Sequence, residues 1–242
     1  MHTCYHPELA IGVSPLSEEE ALHVVRVLRM KEGQTVRLID GHGGLAHGVL
    51  TTVGKRSASV HVEQVEKEEV RPKGLVLVVA PTKANDRFEW LLEKATELGV
   101  EAVIPVWADR SERRVDKHDR WRKVVVAATK QCQRRWMPQL HEACAMKDLF
   151  DLHSGLMERC GAVAHCMEEV SGLSDRVAWT EWQADRPEAW LAIGPEGDFT
   201  EAEVRWLAEH NADAVHLGAL RLRTETAAMA AVAQFFSQGD AE

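Results

Sequence analysis

The sequence predicts an α/β fold: a C-terminal domain on a mostly parallel sheet, preceded by a small β-barrel domain. Three observations predict it. From residue 75 onward, short apolar runs alternate with segments of helical periodicity, the pattern of strands joined by helical crossovers. Before that, short alternating stretches are punctuated by glycine turns, which suits a small barrel or curled sheet. Between the two, the charged stretch "EKEEVRPKG" reads as a linker and divides the 242 residues into 1–70 and 71–242.

The elements follow in order. "LSEEEALHVVRVLRM" opens with Ser17 and carries Glu20 three residues on, a capping-box pattern. A helix to about Leu28 puts Leu22, Val25 and Leu28 or Arg29 near one side. Val36, Leu38 and Asp40 alternate in the next stretch, Gly41, Gly43 and Gly44 mark a turn, and a second strand runs to about Val53. "ASVHVEQV" alternates as a third strand. "LVLVVA" is continuously apolar, as expected of a strand covered on both faces. "NDRFEWLLEKATELG" is helical, with Asn85 or Asp86 to cap it and Gly99 to end it. "AVIPVWA" is a strand in which Pro105 argues for an edge or a bend. "DRWRKVVVAATKQCQRR" is a helix with a stripe of Trp121, Val124, Val125, Ala128 and Cys132. "MKDLFDLHSGLMERC" reads as a helix despite Gly155. The strands "AVAHCM", "WLAI" and "AVHLG" come next, with a helix "TEAEVRWLAEH" capped by Thr200 and Glu203, and an alanine-rich helix "TETAAMAAVAQFF" at the end.

The formal charge of −9 argues against a polyanionic partner when taken alone. A local reversal changes that reading. Between Ala108 and Arg135 stand ten Lys or Arg and four acidic residues, a basic patch on an acidic body that suits one docking place for nucleic acid, or else a charged helix facing water. The five cysteines form no C-x-x-C pair. Cys160, His165 and Cys166 lack an apparent fourth partner, so no metal is expected. No apolar run is long enough to cross a membrane, and the N-terminus does not read as a signal peptide, so the expected location is cytoplasmic.

Two loops lie beyond the carboxyl ends of strands, where ligands of such sheets bind. The first is "LAIGPEGDFTEAE", whose Gly194 and Gly197 allow a ligand to approach the backbone closely. Glu196 and Asp198 would repel phosphate there, and no phosphate-binding glycine motif occurs. A ligand with an adenine, a ribose and a positive centre fits better, and S-adenosylmethionine has that chemistry. The alternative is an ordinary glycine turn before a capped helix. The second loop is "HLGALRLRTETAA", with Gly218, three leucines to wall a heterocycle, and the cations Arg221 and Arg223. Glu225 in the first helical turn favours the helix N-terminus, which can be its whole role.

"GPEGDFTEAE" and "LGALRLRTETAA", together with "TKANDRFEWLLEKATELGVEAVIPVWADRSERR", "RWRKVVVAATKQCQRRWMP" and "HVVRVLRMKEGQTVRLIDGHG", resemble the blocks of the RsmE family in order and spacing. These are 16S ribosomal RNA methyltransferases that modify N3 of a uridine. The resemblance implies a SPOUT methyltransferase domain with a trefoil knot, a PUA-like β-barrel before it, a homodimer, and S-adenosylmethionine as cofactor. The cofactor residues it implies are Leu191, Ile193, Gly194, Pro195, Glu196 and Gly197 in the first loop and Leu217, Gly218, Leu220, Arg221 and Leu222 in the second. The chain departs from the family where Asp198 and Thr200 replace glycine and serine, and where Lys130 replaces glutamate.

Removing the N3 proton needs a base. Glu196 or Glu225 is the expected acceptor, with Arg223, Arg221 or Arg87 stabilising charge on the uracil oxygens. Expected phosphate contacts are Arg110, Arg113, Arg114, Arg134 and Arg135, extended by Arg26 and Arg29, with Arg87 near the site. The expected partner is 16S ribosomal RNA within the small subunit. A SPOUT enzyme for another RNA such as tRNA, or a non-catalytic RNA-binding protein, stays open as the alternative.

Overall fold

The computed structural model describes residues 1–72, 74–167, 170 and 175–237. It forms two compact units, Met1–Pro72 with Val126–Met137, and Lys73–Val125 with Pro138–Glu242.

The first unit contains β1 (Thr3–Tyr5), β2 (Gly12–Pro15), α1 (Glu18–Leu22), a wider π turn at His23–Val27, β3 (Thr35–Ile39), β4 (Gly44–Val53) and β5 (Ala58–Lys67). The strands form one sheet in the order β1-β3-β4-β5-β2, with β1 and β2 at its edges. Val36, Leu38, Leu50, Val60 and Val62 bury one face with Cys4 and Val24. Burial of a set spaced by two along each strand fixes the register, because a slip of one residue would turn the set to water. The charged stretch begins inside β5, which runs on through Lys67.

The start of α1 departs from expectation. Ser17 Oγ accepts from the Glu20 N–H at 3.2 Å, but the Glu20 carboxylate does not return to close the capping box. It is buried and accepts from the Tyr5 N–H at 3.2 Å and from the Lys130 ammonium at 2.5 Å. Ala21 and Val24 are the buried apolar residues of this segment, while Leu28 is exposed. The π turn adds a residue to the helical repeat and so shifts the buried face. Arg29 lies beyond the helix with a φ of 52°.

The second unit runs β6 (Leu75–Val79), α2 (Asn85–Leu98), β7 (Ala102–Trp107), α3 (His118–Gln131, its last turns belonging to the first unit), β8 (Gln139–Leu140), β9 (Cys144–Ala145), α4 (Leu149–Leu152), β10 (Cys160–Ala164), β11 (Val177–Ala178), α5 (Trp179–Trp182), β12 (Ala189–Ile193), α6 (Glu201–Glu209), β13 (Ala212–His216) and α7 (Thr224–Phe236). The sheet order is β11-β13-β10-β12-β6-β7-β8, with β9 also on β7, and every one of these pairings is parallel. β6 and β12 are central and buried at every position, as continuous apolar runs require.

Three expectations change. β7 is an interior strand, not an edge. Pro105 is tolerated because β7 pairs with β8 at Ala102 and Val103 and with β9 at Val106 and Trp107, so the missing N–H falls in the gap. The N-cap of α2 is Ala84 rather than Asn85, whose amide oxygen instead accepts from the Trp121 indole at 3.3 Å. The helix expected from Met146 is broken into α4 between two 3₁₀ turns, interrupted at His153. Gly99 ends α2 as expected, with a φ of 111°.

Candidate active site

A cavity of about 300 Å³ opens at the carboxyl ends of β10, β12 and β13. Both loops singled out in the sequence reach it. The first contributes Ile193, Gly194, Pro195 and Glu196, and the second contributes Leu217, Gly218, Leu220, Arg221, Leu222 and Arg223. Leu191 does not line it, being fully buried in mid-strand, and neither does Gly197, whose exposed backbone faces Arg110.

Local hydrogen bonds hold the first loop. Ile193 O accepts from the Ala80 N–H at 3.0 Å, and Pro195 O accepts from the Asp198 N–H at 2.9 Å, closing a turn. A Cβ on Gly194 would stand 2.9 Å from the Phe199 nitrogen, so only glycine fits. Thr200 caps α6 with a complete capping box: its Oγ1 accepts from the Glu203 N–H, and Glu203 Oε2 accepts from the Thr200 N–H at 2.8 Å. Glu203 Oε1 also accepts from the Asp109 N–H at 2.7 Å. The second loop is irregular, and Gly218 has a φ of 121°, a conformation glycine adopts at least cost. The two loops are joined: Thr224 Oγ1 donates to Gly194 O at 2.9 Å. Thr224 is therefore the first residue of α7 and a tie between loops, while Arg223 is the N-cap.

Asp198 is a left-handed residue, with a φ of 64°. Aspartate is one of the residues that tolerate this angle. Its carboxylate accepts from the Cys166 N–H and the Phe199 N–H, both at 2.8 Å, and so fastens the first loop to the end of β10. The other departure, Lys130, is paired with buried Glu20 in the first unit. The charge reversal is answered by a carboxylate within reach.

The candidate acids differ in place. Glu196 is exposed, lines the cavity, and accepts from the Lys83 N–H at 3.0 Å through Oε1. Glu225 is 8% exposed, lies off the cavity lining, and places Oε1 3.7 Å from Arg87 Nη1. Its Oε2 has no hydrogen-bond partner among the described residues. An unpaired buried carboxylate oxygen is costly unless a cation is close, and Arg87 is the near one.

The basic patch divides by what its members hold. Arg110 donates to Gly197 O at 3.0 Å and Phe199 O at 3.2 Å, which makes it a brace for the first loop. Arg114 donates to Ala108 O at 3.2 Å. Arg134 is half-buried, and that burial pushes its guanidinium below the usual arginine range. Arg135 is paired with Glu66 and Glu68. Arg113, and in the first unit Arg26 and Arg29, are exposed and carry no hydrogen bond or ion pair among the described residues.

The sequence reading missed His165, Cys166, Arg176, His216 and Ala227 as cavity residues. Burial, aided by the Arg176 cation, lowers the His165 pKa, with Asp198 and the Met167 backbone acting the other way. Of these residues, His165 and Cys166 had been weighed only as metal ligands.

Residues 69–235 match the family model described as an RNA methyltransferase domain, and residues 16–63 match an RNA methyltransferase PUA domain. The chain belongs to the RsmE family of ribosomal RNA methyltransferases. Relatives named ribosomal RNA small subunit methyltransferase E include one from Bacillus subtilis, 31% identical over 90% of this chain and 87% of its own length. One from Rickettsia conorii is 32% identical over the same shares. The crystal structure of such an enzyme from Neisseria gonorrhoeae, bound to S-adenosyl methionine, matches with a TM-score of 0.79 at 27% identity, covering 96% of this chain and 95% of that one. The RsmE-family assignment gives the architecture its parts: a PUA-like domain followed by a mostly parallel SPOUT-like domain.

Proposed function

We propose that this chain transfers a methyl group from S-adenosylmethionine to N3 of a uridine in the 16S ribosomal RNA of the small subunit. The observation that carries the reading is the cavity at the ends of β10, β12 and β13, built from the two glycine loops. It offers apolar walls in Ile193, Leu217 and Leu222, backbone approach at Gly194 and Gly218, and no phosphate-binding loop. The His165 ring nitrogens on its wall, unpartnered among the described residues, suit a ligand with polar edges. S-adenosylmethionine, when bound, supplies an activated methyl group on its sulfonium.

The chain's own residues do the rest. Preorganised loops align the reacting groups, which is where most of the rate gain in such a transfer originates. Glu196, on the cavity wall with Oε1 held by the Lys83 N–H, takes the N3 proton. Glu225 holds Arg87, and Arg223 and Arg221 at the exposed rim stabilise the uracil oxygens. The trefoil knot, the homodimer and the cytoplasmic location belong to the same reading. No described helix is long and apolar enough to cross a membrane.

The test is transfer of labelled methyl groups to small ribosomal subunits that lack their native methylations, with mass spectrometry of the nucleosides. 3-Methyluridine at one site is the expected product. Glu196→Gln is expected to lower kcat by about a hundredfold or more at saturating cofactor, as loss of a general base does. A loss below about tenfold for both Glu196→Gln and Glu225→Gln removes the general-base step. Cofactor binding without transfer to any RNA leaves a non-catalytic RNA-binding protein.

A further inference from the structure

His165 is a buried imidazole with no hydrogen-bond partner for either ring nitrogen among the described residues. It follows β10, whose end lies between β12 and β13: Ala164 pairs with Ile193 on one side and with Val215 on the other. The side chain is 7% exposed and lines the cavity. Neither Nδ1 nor Nε2 meets a hydrogen-bond partner among the described residues. Its backbone, in contrast, is fixed from both sides, because Arg176 Nη1 donates to its carbonyl at 2.7 Å and Asp198 accepts from the next N–H. Buried polar groups are nearly always satisfied, and each exception asks for an explanation. Here a rigid backbone holds a buried, unsatisfied ring against a cavity.

Resting on the reading of that cavity as the S-adenosylmethionine site, we propose that His165 is a cofactor-binding residue that recognises the adenosyl part of the ligand. A neutral imidazole presents one donor and one acceptor, and burial beside Arg176 favours the neutral form. Adenine and ribose carry both donors and acceptors at their edges and hydroxyls, so they match it. The methionyl end carries a carboxylate, which suits a cation of the exposed rim, where Arg221 stands next to Leu220 at 81% exposure. The depth of His165 thus assigns it to the uncharged heterocyclic end. Among the described residues neither ring nitrogen is paired, which leaves the ring's hydrogen-bonding capacity to the ligand.

Calorimetric titration of the full chain with S-adenosylmethionine and with 5′-methylthioadenosine, which lacks the amino-acid end, tests this. His165→Leu is expected to weaken both ligands by a similar factor, about tenfold or more. His165→Asn, which keeps a donor and an acceptor, recovers part of the loss. The melting temperature of cofactor-free His165→Leu is expected to be unchanged or higher, since the substitution removes an unsatisfied buried group; a purely structural histidine would lower it. Unchanged affinity for both ligands in His165→Leu overturns the inference, as does a loss confined to S-adenosylmethionine, which would place His165 at the methionyl end. A folded wild-type chain that binds neither ligand overturns the reading of the cavity itself, and the inference with it.

Discussion

At the scale of single residues, the site is held by a few side chains that bond backbone rather than one another. Asp198 braces two N–H groups, Arg110 two carbonyls, and Thr224 the Gly194 carbonyl. Thr224→Val keeps the shape but leaves that buried carbonyl unpaired, at a cost of about 1–3 kcal/mol. The expected outcome is a lower midpoint in urea unfolding and weaker S-adenosylmethionine binding. An unchanged midpoint would mean that the loops hold without the tie. Thr224 was legible as a helix-start residue, but not as a link, because its partner stands thirty positions earlier. The same blindness applies to Arg110. Read in sequence it is one cation of a basic run, and only the fold brings it to Gly197 and Phe199. Gly194 and Gly218 were legible because a glycine among apolar residues signals backbone approach at short range.

At the scale of elements, the long periodic helices and the central apolar strands were plain in the sequence. β1, β2, β8, β9 and β11 were not. They have two to four residues each, too few to express a period, and they exist because a neighbouring strand offers its edge. β10 was read as a strand at "AVAHCM" but runs from Cys160 to Ala164, so His165 falls just past its end, and its place between β12 and β13, which brings His165 to the cavity, rests on long-range pairing. The close packing of β10 against β12 can be tested. Gly161 pairs with Trp190, and a Cβ there would fall 2.2 Å from the indole ring. The ring is itself held, since its Nε1 donates to Leu156 O at 3.0 Å and it packs edge-on against Phe150. Gly161→Ala is expected to destabilise the second unit by about 1–3 kcal/mol or more through overpacking, read as a drop in the thermal midpoint. Gly155→Ala, with open space at its Cβ, is the control and is expected to change little.

At the scale of the whole molecule, charge is what the partner meets first. The net charge of −9 repels RNA on average, so binding relies on cations left free to face it. Arg113 is such a cation, whereas Arg110 and Arg135 are engaged. Arg113→Ala is expected to weaken RNA binding and to lower the salt slope by about one, measured by titration across ionic strengths. Arg110→Ala is expected to act mainly on cofactor affinity by loosening the first loop. Equal salt slopes for wild type and Arg113→Ala would make that side chain a solvated bystander.

The strand order also governs how the chain reaches this state. β6 is the first strand of its unit to be made, yet its neighbour β12 comes late: Leu75 pairs with Ala189, and Val79 with Ile193. A central strand must wait for a distant stretch of chain, and such non-local closure slows folding. Both loops of the cavity follow β12 or β13, and the Thr224 tie opens the last described helix. Until those late segments dock, β6 presents an apolar, unpaired edge, the kind of surface that invites misassociation in a slow-folding chain. The arrangement that builds the cavity from the ends of central strands therefore also makes the nascent unit dependent on its own last third.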